Sequence, residues 1–176
     1  MSKPVIVNLG CGSRKAEGEI GVDRYPGSLA DVRADLEQPL PFAGNSVDRV
    51  VASHVLEHVA GLVRLVEEVH RILAPGGRFQ IEVPYFAHPD SFRDPTHLRF
   101  FTWASLDYFI EGRKPAEYTA VCFRYRGREL IFGPGLWGGV GRLVFNLSPR
   151  RYEKYYARRF PARVLRAELE AVKSSA

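Results

Sequence analysis

Apolar and polar positions along this chain follow periods that change from block to block, and each change marks an element. Val5 to Leu9 is a β-branched run directly after Pro4, broken by Gly10, Cys11, Gly12 and Ser13, which predicts a strand followed by a tight loop. Shorter runs at Ile20 to Asp23, Val32 to Leu36 and Val47 to Ser53 predict three further strands, the last entered through the turn-forming Ala43-Gly44-Asn45-Ser46. From Glu57 to Leu73 the period lengthens. Val59, Leu62, Val63, Val66, Val69, Ile72 and Leu73 fall three or four apart, as on one face of an amphipathic helix. Ala74-Pro75-Gly76-Gly77 stops that helix, because proline cannot continue it and glycine permits the reversal; Phe79 to Val83 then predicts a fifth strand ending at Pro84. A strand, a helix and a strand in that order make a right-handed crossover. Beyond Pro84 the pattern is irregular: a loop over Tyr85 to Thr102, a helix over Trp103 to Glu111, a two-stranded ribbon around Arg126-Gly127, helical segments, and a last alternating run from Val164 to Val172. The expected class is α/β with a mostly parallel, doubly wound sheet.

Length and composition narrow this picture. A chain of 176 residues fits a single domain, and 45% hydrophobic with 26% charged residues excludes a disordered or fibrous protein. No stretch approaches 18 uncharged apolar residues, and the first ten residues run straight into a strand pattern, so a cytoplasmic protein without stable membrane insertion is expected. Cys11 and Cys122 offer neither a disulfide framework nor a metal-knuckle spacing and are expected as reduced thiols. The net charge of +5 is concentrated late in the chain: Arg142, Arg150, Arg151, Lys154, Arg158, Arg159, Arg163 and Arg166 stand against Glu153 alone. Phe145, Tyr152, Tyr155, Tyr156 and Phe160 interleave with them, a combination that suits an anionic partner such as nucleic acid. The competing expectation is a solvated basic face, with Tyr152, Tyr155, Tyr156 and Phe160 packed on the sheet.

A glycine loop directly after a first strand lets the backbone approach a ligand, and an acid at the end of the neighbouring strand is placed to hold ribose hydroxyls. Here these are Gly10, Cys11 and Gly12, and Asp23. The constellation resembles the class I S-adenosylmethionine-dependent methyltransferases, with a Rossmann-like fold and an antiparallel C-terminal strand, and the resemblance runs from Val5 to Val83. VNLGCG looks like the family's first motif, GVD at 21 to 23 its ribose-binding acid, ADLEQPLPF at 34 to 42 the adenine-facing segment, NSVDRVVASHVLEHV at 45 to 59 its fourth strand and the helix after it, and RILAPGGRFQIEVP at 71 to 84 the approach to its fifth strand. HPDSFRDPTHLRFFT and FPARVLRAELEAVK resemble a small bacterial branch more loosely.

The resemblance implies S-adenosylmethionine as cofactor. It implies Asn8, Gly10, Cys11 and Gly12 around its amino-acid portion and sugar, Asp23 on the ribose, Asp35 and Leu36 at the adenine, and Ser53 beneath the methionine part. Asn8 stands where the family usually has an acid and Arg14 where it has a third glycine, and the short Ser13 to Glu19 segment leaves too little chain for a helix, so an open pocket is expected. Residues 1–84 then form the cofactor half of one domain and 85–176 the substrate side. The implied acceptor is a small molecule, sugar or glycan precursor, with RNA or another nucleic acid as runner-up and a non-catalytic cofactor sensor or adaptor as the reading from a different class.

Methyl transfer depends chiefly on alignment, with a base where the acceptor is a hydroxyl. The expected candidates are His54, with Glu57 and His58 beside it, and Tyr85, His88, Asp94 and His97 in the loop after the fifth strand. His54 to His58 also matches the H-x-x-E-H pattern of zinc peptidases. That pattern starts at a strand end, shows no third ligand in sequence, and overlaps the methyltransferase segment, so no metal is expected.

Overall fold

The computed structural model describes residues 3–113 and 119–173, and its architecture follows from strands that bury alternate side chains. Strands β1 (Ile6–Leu9), β2 (Glu19–Asp23), β3 (Val32–Arg33), β4 (Val47–Ser53), β5 (Leu73–Pro84), β6 (Cys122–Phe132) and β7 (Ala162–Val172) form one seven-stranded sheet in the order β3-β2-β1-β4-β5-β7-β6. β1 to β5 pair in parallel, while β7 runs antiparallel to both β5 and β6, so a single reversed strand sits near the sheet's far edge. This is the α/β class that the pattern predicts. Because β7 lies between β5 and β6, the chain's last strand stitches its two halves into one core.

Helix α1 (Leu62–Ile72) crosses from β4 to β5 and buries Leu65, Val66, Val69 and Ile72. It is shorter than the pattern predicts. Leu56–His58 is a 3-10 turn, Val59 is extended, and the Glu37 carboxylate accepts the amides of Ala60 (2.6 Å) and Gly61 (2.9 Å), which holds the break. The reversal at Ala74 to Gly77 stands out of the ladder, since the pairing of β4 jumps from Leu73 to Arg78. β3 stops at Arg33 rather than Leu36 because Asp35 turns the chain, accepting the Glu37 amide at 3.0 Å.

Three later expectations are corrected. The ribbon around Arg126-Gly127 is one strand, β6, whose register against β7 shifts between Tyr125 and Gly127, so the glycine marks a bulge and not a hairpin. The helix expected over Trp103 to Glu111 is a 3-10 segment, Ser105–Phe109. A short helix α2 (Asp90–Arg93) interrupts the loop after β5. Between β6 and β7, α3 (Leu136–Leu147) leads into α4 (Pro149–Arg151) and a π turn at Tyr152–Tyr156. Of the aromatics expected on the sheet, Tyr152 is buried and packs on Tyr85, Phe132 and Phe145, while Tyr155 and Tyr156 face solvent and Phe160 stacks on Trp137.

The sheet is covered unequally. Phe79, Ile81 and Val83 of β5 and Leu165, Ala167 and Leu169 of β7 are buried, whereas their alternates Arg78, Gln80, Glu82, Arg166, Glu168 and Glu170 lie on a solvated face. Mostly parallel sheets are usually sheathed on both sides. Here the connections after β1, β2 and β3 are turns and loops, as the short Ser13 to Glu19 segment predicts for the first of them. Gln80 donates to Glu168 at 3.0 Å and Arg166 to Glu82 at 2.5 Å, and Arg78 and Arg126 pair with Glu168 and Glu170, so the open face is satisfied by its own charges. No helix among the described residues is long and apolar enough to cross a membrane.

Candidate active site

Two cavities lie above the carboxyl ends of the parallel strands, where open α/β sheets bind ligands. The smaller, about 180 Å³, is lined by Gly10, Asp23, Arg24, Asp35, Leu36 and Val55 among others. Gly10 reaches it in a left-handed conformation, φ 62°, and a Cβ there would stand 2.4 Å from Val55 Cγ2, so no other residue fits beneath Val55. Asp23 is held in place before any ligand arrives: its Oδ2 accepts the Gly12 amide (2.9 Å) and its Oδ1 the Tyr25 amide (2.8 Å).

The sequence-nominated residues divide by what the fold does with them. Gly10, Asp23, Asp35 and Leu36 meet in this cleft. Asn8 does not line it; its side-chain amide donates to Glu19 (2.8 Å) and to the Arg14 carbonyl (3.3 Å), pinning the loop from inside. Cys11 is buried, its Sγ directly beneath Gly21, and burial followed by the Asp23 charge pushes its thiol above the usual range. Gly12 acts through its backbone, donating to Asp23 and accepting from the Leu29 amide at 2.7 Å. Ser53 faces a separate hollow of about 410 Å³ on the open side of the sheet, with Gln80, Glu82 and Arg166. Val55 and Val59 are cleft residues that motif reading missed; their flanking positions around Leu56-Glu57-His58 are the only hint.

The larger cavity, about 850 Å³, is lined by His54, Glu57, His58, Asp90, Arg93, Asp94 and His97 together with the β5, β6 and β7 ends. His58 lines both cavities and forms their common wall. His54 sits at φ 54° at the end of β4, its imidazole 3.4 Å from Glu57 and 3.3 Å from Glu82, and these carboxylates, Glu57 foremost, raise its pKa against the opposing effect of burial. Asp94 is held below the usual carboxylate range by the Thr96 hydroxyl and amide. His88 lies outside the lining; its Nδ1 accepts the Asp90 amide at 3.2 Å. Tyr85 is buried under the loop, 3.4 Å from Glu153, and burial drives its phenol well above the ordinary range. Outside this cavity Trp103, Tyr125 and Asp107 gather around Arg128, whose guanidinium lies 3.8 Å over the indole, 4.3 Å over the phenol and 2.8 Å from the carboxylate.

A reversed seventh strand beside β5, a glycine turn after β1 and an acid ending β2 together define the Rossmann-like methyltransferase fold. Residues 8–81 match the family model described as a methyltransferase domain. The chain is 28% identical over 120 residues to Escherichia coli YafE, covering 56% of this chain and 58% of that protein. It is 34% identical over 92 residues to a Mycolicibacterium smegmatis protein described as "Probable S-adenosylmethionine-dependent methyltransferase", covering 50% of this chain and 35% of that one. It thus spans little more than half the length of the first relative and about a third of the second. Among solved structures, a SAM-dependent methyltransferase from Archaeoglobus fulgidus superposes with a TM-score of 0.62 at 17% identity, over 95% of this chain and 86% of that one. The YcgJ protein of Bacillus subtilis superposes with a TM-score of 0.64 at 15% identity, over 98% and 93%. The fold is that of the class I S-adenosylmethionine-dependent methyltransferases, and residues 8–81 match their methyltransferase domain.

Proposed function

We propose that this protein moves a methyl group from S-adenosylmethionine to a hydroxyl or amine of a small molecule, sugar or glycan precursor. The observation that carries the reading is the pair of adjoining cavities with His58 as their shared wall: a narrow cleft ending in Asp23 and Asp35, and a polar chamber beside it large enough for an acceptor. The residues fit the cofactor. The tight Gly10 turn brings backbone to the cleft, Asp23, fixed by two amides, would take the ribose hydroxyls, and Asp35 and Leu36, which line the same cleft, would take the adenine edge. The bound cofactor supplies an electrophilic methyl on a sulfonium. The protein aligns acceptor and methyl and excludes water. His54, at the chamber floor between Glu57 and Glu82, takes the acceptor proton, a contribution on the order of 10²- to 10⁴-fold.

Calorimetric titration tests the shared premise. Wild-type protein is expected to bind S-adenosylmethionine and its demethylated product, and Asp23→Ala to bind each at least about tenfold more weakly through loss of the ribose hydrogen bonds. Transfer of labelled methyl to sugar nucleotides and small phenols then assigns the acceptor class. A folded wild type that binds neither compound sinks the reading.

A nucleic-acid acceptor ranks second on one observation. Arg142, Arg150, Arg151, Lys154, Arg158 and Arg159 are all exposed beside the exposed rings of Tyr155 and Tyr156. That reading requires RNA binding that weakens steeply with salt, and a flat salt response removes it.

A further inference from the structure

The least accounted-for group in the molecule is the Glu57 carboxylate. It is 1% exposed, and neither oxygen has a hydrogen-bond partner among the described residues. A buried carboxylate is costly unless a cation or several donors compensate it. His54 Nδ1 approaches Oε1 to 3.4 Å from the half-exposed rim, and two further imidazoles beside the carboxylate are held so that their free nitrogens carry lone pairs. His97 Nδ1 lies 2.9 Å from the Ser91 carbonyl, which can only accept, so Nδ1 bears the hydrogen and Nε2 faces Glu57 Oε1 at 4.0 Å. His58 Nδ1 lies 2.9 Å from the Thr96 hydroxyl, whose own proton is donated to Asp94 at 2.7 Å. The hydroxyl therefore accepts from His58 Nδ1, and His58 Nε2 is left with its lone pair. One ligand atom from each of Glu57, His58 and His97 falls within 4.8 Å of the other two. Imidazoles that donate one N–H to a backbone carbonyl or a carboxylate-linked hydroxyl and present the other nitrogen are the ordinary supporting arrangement of metal sites.

We propose that Glu57, His58 and His97 bind one divalent transition-metal ion of the zinc type, in the wall between the cofactor cleft and the acceptor chamber. Two imidazole nitrogens and one carboxylate oxygen favour zinc, manganese or iron over magnesium or calcium, which prefer oxygen alone. Bonds of about 2.0–2.1 Å to such an ion require the three ligands to close by roughly an ångström. Of the H-x-x-E-H run only Glu57 and His58 take part, with His97 from the following loop in place of His54, and this proposal revises the expectation of no metal. Three protein ligands leave positions open, as in catalytic rather than structural zinc sites.

The use of that open position rests on the methyl-transfer reading. An acceptor hydroxyl oxygen occupies it, and its proton passes to His54. The oxygen's electron pair forms the bond to the methyl carbon while the carbon–sulfur bond breaks, and the bonding pair stays on sulfur. The products are a methyl ether, a neutral thioether and a protonated imidazole, so atoms and charge balance.

The test uses the full chain, stripped with chelator, dialysed and titrated separately with zinc, cobalt(II) and magnesium chlorides by calorimetry, with visible absorption as the cobalt readout. Zinc is expected to bind one to one at micromolar affinity or better. Glu57→Gln and His97→Ala should each weaken it at least 100-fold, and His88→Ala should leave it unchanged. Cobalt should give ligand-field bands that both ligand variants lose. Melting curves guard against misfolding: without metal, Glu57→Gln should still unfold in one cooperative transition, and it should gain nothing from zinc, while wild type gains. Absence of zinc binding to stripped wild type, equal binding by both ligand variants, or a preference for magnesium would each overturn the assignment. Titration of S-adenosylmethionine into the same samples separates the two proposals. Cofactor binding without zinc binding fells the metal site alone, and zinc binding without cofactor binding fells the methyltransferase reading alone.

Discussion

The two faces of the central sheet do opposite work with neighbouring residues. On one side Phe79, Ile81, Val83, Leu165 and Leu169 are almost wholly excluded from water and carry α1, the 3-10 segment and the π turn. On the other, their alternates Arg78, Gln80, Glu82, Arg166 and Glu168 make ion pairs and hydrogen bonds in the open. Burial of apolar area drives folding, whereas exposed ion pairs contribute little because water competes for both partners. The fold is therefore held from one side. The other side is kept soluble and self-paired, which lets the sheet do without the helices that usually sheathe it.

Substitutions matched across the sheet test this directly. Phe79→Ala, on the closed face, is expected to cost about 3–5 kcal/mol in chemical denaturation, from lost transfer energy plus an unfilled cavity. A cost under about 1 kcal/mol would mean that the face is not the core.

Tyr152→Phe should cost about 1–3 kcal/mol, because the hydroxyl donates to the Phe160 carbonyl (2.8 Å) and accepts the Ala162 amide (3.0 Å) at the start of β7. It also carries a pH signature. Burial pushes the Tyr152 phenol up to about 12, above its ordinary 10.0. The folded state therefore holds the proton more tightly than the unfolded one, and its stabilising contribution is complete below pH 10 and lost as pH rises toward 12. Denaturation followed across that window should fall more steeply in wild type than in Tyr152→Phe.

The smallest effect belongs to the open face. Glu168→Gln is expected to cost no more than about 1 kcal/mol at neutral pH. Gln80 first, and then Arg78, hold this carboxyl below its ordinary 4.5, so its contribution is present above that value and is lost as pH falls through the depressed one. An acid titration of stability in which Glu168→Gln matched Phe79→Ala in effect would break the contrast between the faces.

Some of this was legible from local signals. β-branched alternation located β1, β2, β4, β5 and most of β7, and proline with paired glycines marked the reversal before the paired part of β5. Gly10, Asp23, Asp35 and Leu36 could be brought together from sequence because each lies at or just beyond the carboxyl end of a strand whose neighbours the motif order implies. Local signals misled where a distant partner set the outcome. Glu37 delayed the start of the long helix by capturing the Ala60 and Gly61 amides, and Arg126 and Gly127 read as a hairpin because nothing nearby shows that β7 pairs across them.

Local chain chemistry was enough to set the class of sheet, the glycine turn at the narrow cleft and the acids that line it, since these depend on backbone conformation and on residues within one strand and its turn. Long-range packing alone left one sheet face open, turned Asn8 and Cys11 to the loop's interior, and closed His97 on Glu57 and His58. Those outcomes depend on distances between segments far apart along the chain, and side-chain periodicity records which face a residue takes but not what meets it there.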